Sequence, residues 1–266
     1  MIEPYLLQGM QLSAPLVADI ARMNPWWQGK PMQVLPEHRR HLVRLMHDRL
    51  VRRLAPITVI RGPRQIGKTT AQLHLIADLL AQGVPPARIL RLQCDESREL
   101  DALDEPILRI VDWFEAAVLK KTLNESAHAG ETAYLFLDEV QNLPNWAPQL
   151  KLLVDHSTVD VVATGSSALR IEQGRDSLAG RISTIESGAL SLTEIAAFAG
   201  IELGAPFWLD NGLEPFVNRE FWLRLREHGL EMRNLRDDVF ARFSKRGGYP
   251  LAHKNYDTPW EHVADQ

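Results

Sequence analysis

The sequence of 266 residues holds a single cysteine, Cys94. That scarcity excludes an internal disulfide framework and a cysteine-rich zinc site, and it suits a reducing compartment. No apolar run approaches the ~20 residues needed to cross a bilayer, and no basic segment leads into an apolar core at the N-terminus, so we expect a cytoplasmic chain that does not engage a membrane. Excess positive charge is missing too. Thirty Lys and Arg stand against 34 Asp and Glu, a net charge of -4, which argues against a surface wholly given to nucleic acid and leaves only local basic patches. The nine histidines lack metal-ligand spacing: His38 and His41 fall in a basic stretch, and His156 and His253 have no Cys or carboxylate partners at diagnostic distances. Neither G-x-S-x-G nor G-x-G-x-x-G occurs, which disfavours serine-hydrolase and dinucleotide redox chemistry. Repeats and low-complexity tracts are also absent, so the chain reads as a series of elements.

Those elements alternate. From Pro36 to Leu54, Leu42, Leu45, Met46, Leu50 and Leu54 recur at helical spacing, with Arg39, Arg40, Arg44, Arg49, Arg52 and Arg53 among them. Ile57-Thr58-Val59-Ile60 reads as a buried strand, and a helix with an apolar stripe at Leu73, Ile76, Ala77 and Leu80 follows, closed by Gly83 and two prolines. Strand patterns recur at Ile89–Leu92, Tyr134–Leu137, Val159–Ala163 and Arg181–Ile185. Between them lie a helix from about Pro106 to Leu119 and one from Asn145, a possible cap, to about Val154; Ser191 and Glu194 fit a capping box on a further helix. Alternation of this kind predicts an α/β fold with a parallel sheet between helices. The expected organisation is an N-terminal segment at 1–55, a core at 56–203, with its boundary near Gly200 to Gly204, and a helical segment at 204–266.

One stretch carries specific chemistry. Gly62-Pro63-Arg64-Gln65-Ile66-Gly67-Lys68-Thr69 matches G-x-x-x-x-G-K-[ST], and it sits between a predicted strand and a predicted helix, the context that motif requires. The glycines let successive backbone N–H groups turn inward toward phosphate oxygens, and the helix N-terminus adds partial positive charge. Nucleotide contacts are expected from Gly62 to Thr70, with Lys68 reaching the outer phosphates and the Thr69 hydroxyl on Mg²⁺. Four apolar residues then run into Asp138-Glu139, placing two carboxylates at the end of a strand, on the rim where such sheets bind ligands. Asp138 is expected to hold Mg²⁺ and Glu139 to act as the base that polarises water; a solvated strand end or the cap of the next helix is the plainer alternative. At the tip of the next strand Ser166, or Thr164 in reserve, could sense the γ-phosphate, and a bland turn explains the same letters equally well. Arg181, or Arg175, could meet transition-state charge, in trans if the chain assembles; a surface ion pair is the alternative.

With these residues in hand the chain resembles the bacterial and archaeal AAA-type ATPases of the AAA+ P-loop superfamily. The likeness rests on Arg61–Thr70, Leu137–Gln141, Thr164–Ser167 and Leu178–Arg181, in that order and spacing, within roughly Asn24 to Pro250. It implies a five-stranded AAA+ core, ATP with Mg²⁺ as ligand, and a helical lid. In that family Asn24-Pro25-Trp26-Trp27 looks familiar, with an aromatic walling the adenine or simply anchoring the core. Members commonly continue past a segment similar to Gly247-Gly248-Tyr249-Pro250 into a further domain of uncertain function; the sequence here stops soon after it, as a minimal member or as a fragment would.

Three functional readings follow. The first is an Mg-dependent ATP hydrolase that couples its phosphate state to movement of a lid or protein partner. The second is a slow nucleotide-dependent switch. The third is a DNA-acting ATPase, drawing on the basic helix and on Arg219, Arg224, Arg226, Arg233 and Arg236. Cys94 reads as a small buried residue rather than a nucleophile, and its neighbour Asp95 has no assigned role.

Overall fold

A computed structural model describes residues 12–95, 99–100, 102–166, 178–204, 207–208, 214–254, 256–259 and 262. Within it, β1 (Ile57–Arg61), β2 (Ile89–Gln93), β3 (Ala133–Asp138), β4 (Val159–Gly165) and β5 (Ile182–Glu186) form one parallel sheet in the order β2-β3-β4-β1-β5. All four pairings are parallel, so the C-terminal ends of the strands share one rim. The helices are α1 (Ala14–Met23), α2 (His41–Arg52), α3 (Lys68–Ala81), α4 (Pro106–Phe114), α5 (Leu123–His128), α6 (Trp146–His156), α7 (Leu192–Phe198), α8 (Arg219–Glu231), α9 (Arg233–Arg246) and α10 (Pro250–Lys254).

Strand alternation sorts the side chains into two layers. Ile57, Val59, Leu90, Leu92, Leu135, Leu137 and Val161 point to one face, where Leu16 and Ile20 of α1, Ile107, Ile110 and Phe114 of α4, and Leu150 and Leu153 of α6 cover them. Ile60, Ile89, Phe136, Val162 and Ile185 point the other way, under Leu42, Val43 and Met46 of α2 and Leu75, Ile76 and Leu79 of α3. Because both faces are covered, the strands read as near-continuous apolar runs.

Local differences from the sequence reading have identifiable causes. The basic helix begins only at His41, because Arg40 keeps extended backbone, and it ends at Arg52 with Arg53 in the left-handed region. The helix from Pro106 loosens into a π-turn at Glu115–Leu119. Asn145 is a correction: its backbone is left-handed and its side chain makes no capping bond, so α6 starts without the expected cap. The expected capping box at Ser191 and Glu194 is present, each side chain bonding the other's backbone N–H.

The chain divides into compact units at Met1–Ser187 and Gly188–Gln266, whereas the sequence reading draws its boundary near Gly200 to Gly204. The second unit has its own small core of Leu190, Ile195, Ala196 and Val239. No described helix is long and apolar enough to cross a membrane.

Candidate functional site

The loop between β1 and α3 is shaped by two positive backbone angles, at Gln65 (φ 61°) and Gly67 (φ 86°). Glycine is needed at Gly62 for a different reason. A Cβ there would sit 2.0 Å from the Ser187 carbonyl oxygen and 2.6 Å from Ile66 Cδ1, so the loop passes against backbone with no room for a side chain. Arg40 braces the same loop. Its Nη1 donates to the Ile66 carbonyl at 2.6 Å and to Ser187 Oγ at 3.2 Å, joining the loop to the end of β5.

Lys68 opens α3 with its side chain turned back along the loop, donating to the carbonyls of Gly62 (3.0 Å) and Pro63 (2.8 Å) and lying 3.8 Å from Glu139 Oε1. Burial lowers its pKa, and the charges of Glu139 and Asp138 oppose that shift. Thr69, the next residue of α3, donates to Asp138 Oδ1 at 3.1 Å. Thr164, at the end of β4, donates to the same oxygen at 2.5 Å and accepts the Glu139 backbone N–H at 3.1 Å. The remaining oxygen, Oδ2, faces Arg91 Nη2 at 3.1 Å.

Glu139 follows β3 with a left-handed backbone (φ 53°), which turns its carboxylate out of the strand line and toward the loop. Ser166 Oγ donates to its Oε2 at 2.7 Å, and Gln141 Nε2 donates to the same oxygen at 2.5 Å and to Ser166 Oγ at 3.2 Å. Burial pushes the Glu139 carboxyl up, but the bonds from Gln141 and Ser166 and the charge of Lys68 outweigh it and hold the pKa below the usual glutamate value. Glu139 is therefore ionised at neutral pH.

Lys68, Thr69, Asp138, Glu139, Thr164 and Ser166 thus meet on one rim. Both residues weighed for the strand tip are in contact with the carboxylates, Thr164 with Asp138 and Ser166 with Glu139. Arg181 lies elsewhere. It precedes β5, and its carbonyl accepts the Ile57 N–H at the start of β1, about 13 Å from the loop for four residue steps at ~3.3 Å each. Its guanidinium pairs with Asp155 through two bonds, one at 3.0 Å, and that partnership raises its pKa. It cannot reach the Gly62–Thr69 loop of its own chain. Arg175 falls outside the described residues, as does Ser167.

Sequence reasoning missed Arg91, Gln141, Arg40 and Asn24. Asn24 Nδ2 donates to the carbonyls of Ile20 (2.8 Å) and Arg91 (2.7 Å), and its Oδ1 accepts the Arg91 N–H at 2.7 Å. Trp26 and Trp27 each donate an indole N–H to the Ile89 carbonyl, at 3.1 and 2.9 Å. Trp27 also stacks on Phe114, with ring centroids 6.0 Å apart, so it anchors the core. Trp26 lines a cavity of about 380 Å³ that also touches Thr69, Leu73, Arg91 and Gln93. Cys94 is buried, which with nearby Asp138 and Asp95 lifts its thiol well above the usual range, as suits an inert core residue.

The Thr69 hydroxyl and the Asp138 carboxylate are hard oxygen donors on one point, a set that fits Mg²⁺ when phosphate and water complete the shell. Among the described residues no group of three or more His, Cys, Asp or Glu could hold a metal unaided. Three arginines flanking α2 have partners, while Arg44 and Arg52 within it are exposed. Arg39 pairs with Asp78, Arg40 with the loop, and Arg53 with Thr132 and Asp160.

A family model described as an AAA domain matches residues 55–196. Uncharacterized proteins of Mycobacterium bovis and Mycobacterium tuberculosis are each 27% identical over 166 residues, which is 60% of this chain and 30% of theirs. An uncharacterized protein of Methanocaldococcus jannaschii is 31% identical over 124 residues, 45% of this chain and 23% of its own. The chain therefore spans less than a third of the length of the curated relatives it matches. Among solved structures, a Walker-type ATPase of Pyrococcus abyssi aligns with a TM-score of 0.46 and 14% identity, covering 88% of this chain and 73% of that one. The ADP complex of Saccharomyces cerevisiae Hsp104 aligns with a TM-score of 0.42 and 20% identity, covering 65% and 25%.

Proposed function

The chain belongs to the AAA-domain family, and from that premise we propose that it is an Mg-dependent ATPase that binds ATP on the loop from Gly62 to Thr70. The observation that carries this reading is the meeting of Lys68, Thr69, Asp138 and Glu139 at one rim, two carboxylates from the end of β3 facing the first turn of α3. Backbone N–H groups of the loop and the N-terminus of α3 would cradle the phosphates. Lys68 would exchange its two carbonyl partners for phosphate oxygens. Thr69 and Asp138 would hold Mg²⁺, which when bound neutralises charge on the transferring phosphoryl group. Glu139, ionised and aimed by its left-handed backbone, would orient and deprotonate the attacking water, with Ser166 beside it at the end of β4.

Because Arg181 stands at the opposite rim, its catalytic reading survives only in trans, in an assembly where it meets a neighbour's phosphates. Loss of such an arginine typically lowers turnover about 10³–10⁵-fold. A slow nucleotide-dependent switch is the second reading, favoured by the engagement of Glu139 Oε2 with both Gln141 and Ser166. Coupling to a lid, to a protein partner or to DNA belongs with these proposals; among the described arginines of the basic helix, Arg44 and Arg52 are exposed enough to meet a phosphate backbone.

Turnover and fluorescent-nucleotide binding separate the readings. Lys68→Ala is expected to abolish binding. Glu139→Gln is expected to keep binding and lower turnover about 10²-fold or more. Turnover unchanged in Glu139→Gln would leave the switch reading standing and remove the hydrolase. A specific rate that rises with protein concentration, and is lost in Arg181→Ala, would support action in trans.

A further inference from the structure

Asp138 is 1% exposed, and a carboxylate buried to that degree needs compensating charge. Two hydroxyls satisfy Oδ1, but charge comes to Oδ2 from Arg91. The Arg91 side chain is itself only 7% exposed. Its backbone N–H and C=O are both held by Asn24, its Nη2 also donates to Gln93 Oε1 at 3.2 Å, and its Nε is buried with no hydrogen-bond partner. A guanidinium kept under those conditions, on the strand beside β3, is placed for its charge more than for its hydrogen bonds.

Consider the site as a set of charges. Lys68 and Arg91 balance Asp138 and Glu139, and Arg64 of the loop is near enough to act on Lys68 as a further positive charge, so the site carries no excess of negative charge before any ligand arrives. Without Arg91 the buried pair of hydroxyl and carboxylate at Thr69 and Asp138 would be an anionic oxygen site open to any divalent cation. With Arg91 on Oδ2, a lone dication approaching Asp138 meets a fixed positive charge, while a dication arriving with triphosphate carries its own excess of negative charge.

Resting on the reading of Thr69 and Asp138 as the metal site, we propose that Arg91 is a positioning residue that makes metal binding conditional on nucleotide. It holds Asp138 through Oδ2, leaves Oδ1 toward Thr69, and repels a divalent ion that comes alone. The site thereby selects the metal–nucleotide complex over the free metal.

The test is a Mn²⁺ titration of the full chain, following loss of the free-ion electron paramagnetic resonance signal, with and without ATP. Wild type is expected to bind Mn²⁺ at this site only with ATP. Arg91→Met is expected to bind Mn²⁺ without nucleotide at least ~10-fold more tightly than wild type, a conservative allowance for removing a unit charge a few ångströms from a dication. That gain should vanish in the double variant Arg91→Met, Asp138→Asn, and Arg91→Lys should behave as wild type. A brace with no electrostatic role predicts the opposite, since its loss would weaken metal binding in every condition. Should Arg91→Met fail to fold by circular dichroism, Arg91→Gln takes its place in the same titration. Nucleotide-free binding no tighter than wild type in the folded neutral variant, with Mn·ATP binding intact, overturns the proposal alone. Absence of Mn·ATP binding in wild type overturns the reading of the metal site and the proposal with it.

Discussion

Replacing Asn24 by alanine removes a side chain that is 0% exposed and makes three hydrogen bonds of 2.7–2.8 Å. Three backbone groups lose their partner: the Arg91 N–H, the Arg91 carbonyl and the Ile20 carbonyl at the end of α1. A buried polar group left unsatisfied costs roughly 1–3 kcal/mol. The space vacated by the amide admits water that recovers part of this, so we take the low half of the range and expect a loss of about 3–6 kcal/mol. In a domain this size each kcal/mol lowers the melting temperature by roughly 2–4 °C, which makes a fall of about 10 °C a fair expectation. Thermal melts by far-ultraviolet circular dichroism measure it, and hydrogen exchange of the peptide spanning Ile89–Gln93 should quicken in step. Trp27→Phe is the control, because Trp26 still donates to the Ile89 carbonyl that both indoles share; its fall should be much the smaller. Asn24→Asp should match alanine or exceed it, since a carboxylate would face two carbonyl oxygens. A shift below about 2 °C for Asn24→Ala, or one no larger than that of Trp27→Phe, would refute the reasoning.

Two further outcomes follow from the geometry. Gly62→Ala should fold but bind nucleotide at least ~10-fold more weakly, because the Ser187 carbonyl cannot yield to the new methyl without moving the loop; titration with fluorescent ATP and a melt report the two effects separately. His74 has its pKa lowered by burial first and by Arg39 second. A depressed folded pKa contributes stability that is present above the ordinary histidine value of 6.5 and is lost as pH falls through the folded value. Urea midpoints for wild type should therefore drop between pH 7.5 and 5.5 by more than those of His74→Gln, and equal drops would contradict the assignment.

Much of this architecture is legible in the letters because it is local. Four apolar residues before Asp138, the glycine spacing of the loop and the capping box at Ser191 all depend on near neighbours. Two elements outside the expectations drawn from the sequence carry comparably local signs: α1, where Ser13 caps and Leu16, Ile20 and Met23 recur on one side, and α5, opened by the capping box of Thr122 and Glu125. What no periodicity could show is partnership across distance. Asn24 meets Arg91 67 positions on, Arg40 meets Ser187 147 positions on, and Arg91 meets Asp138 across two strands whose adjacency only the sheet order establishes. The basic stretch shows the same limit, because its arginines look alike in sequence while Arg40, Arg39 and Arg53, which flank α2, meet the loop, Asp78 and Asp160, and Arg44 and Arg52 on the helix are exposed. Arg181 is similar: its letters suit a catalytic role, and only the strand direction places it on the far rim.

The side chains of Asn24, Trp26 and Trp27 have a consequence for how copies of this chain could associate. Strand β2 ends the sheet on one side, and a strand in that position normally offers outward N–H and C=O groups to any passing extended segment. Here the Arg91 pair and the Ile89 carbonyl are already occupied by side chains from the turn that follows α1. The sheet is closed to a sixth strand on that side. Growth by β-addition, the route to unlimited stacking, is blocked there, and among the described residues contacts between copies along this side fall to side chains of α1 and of the turn that follows it.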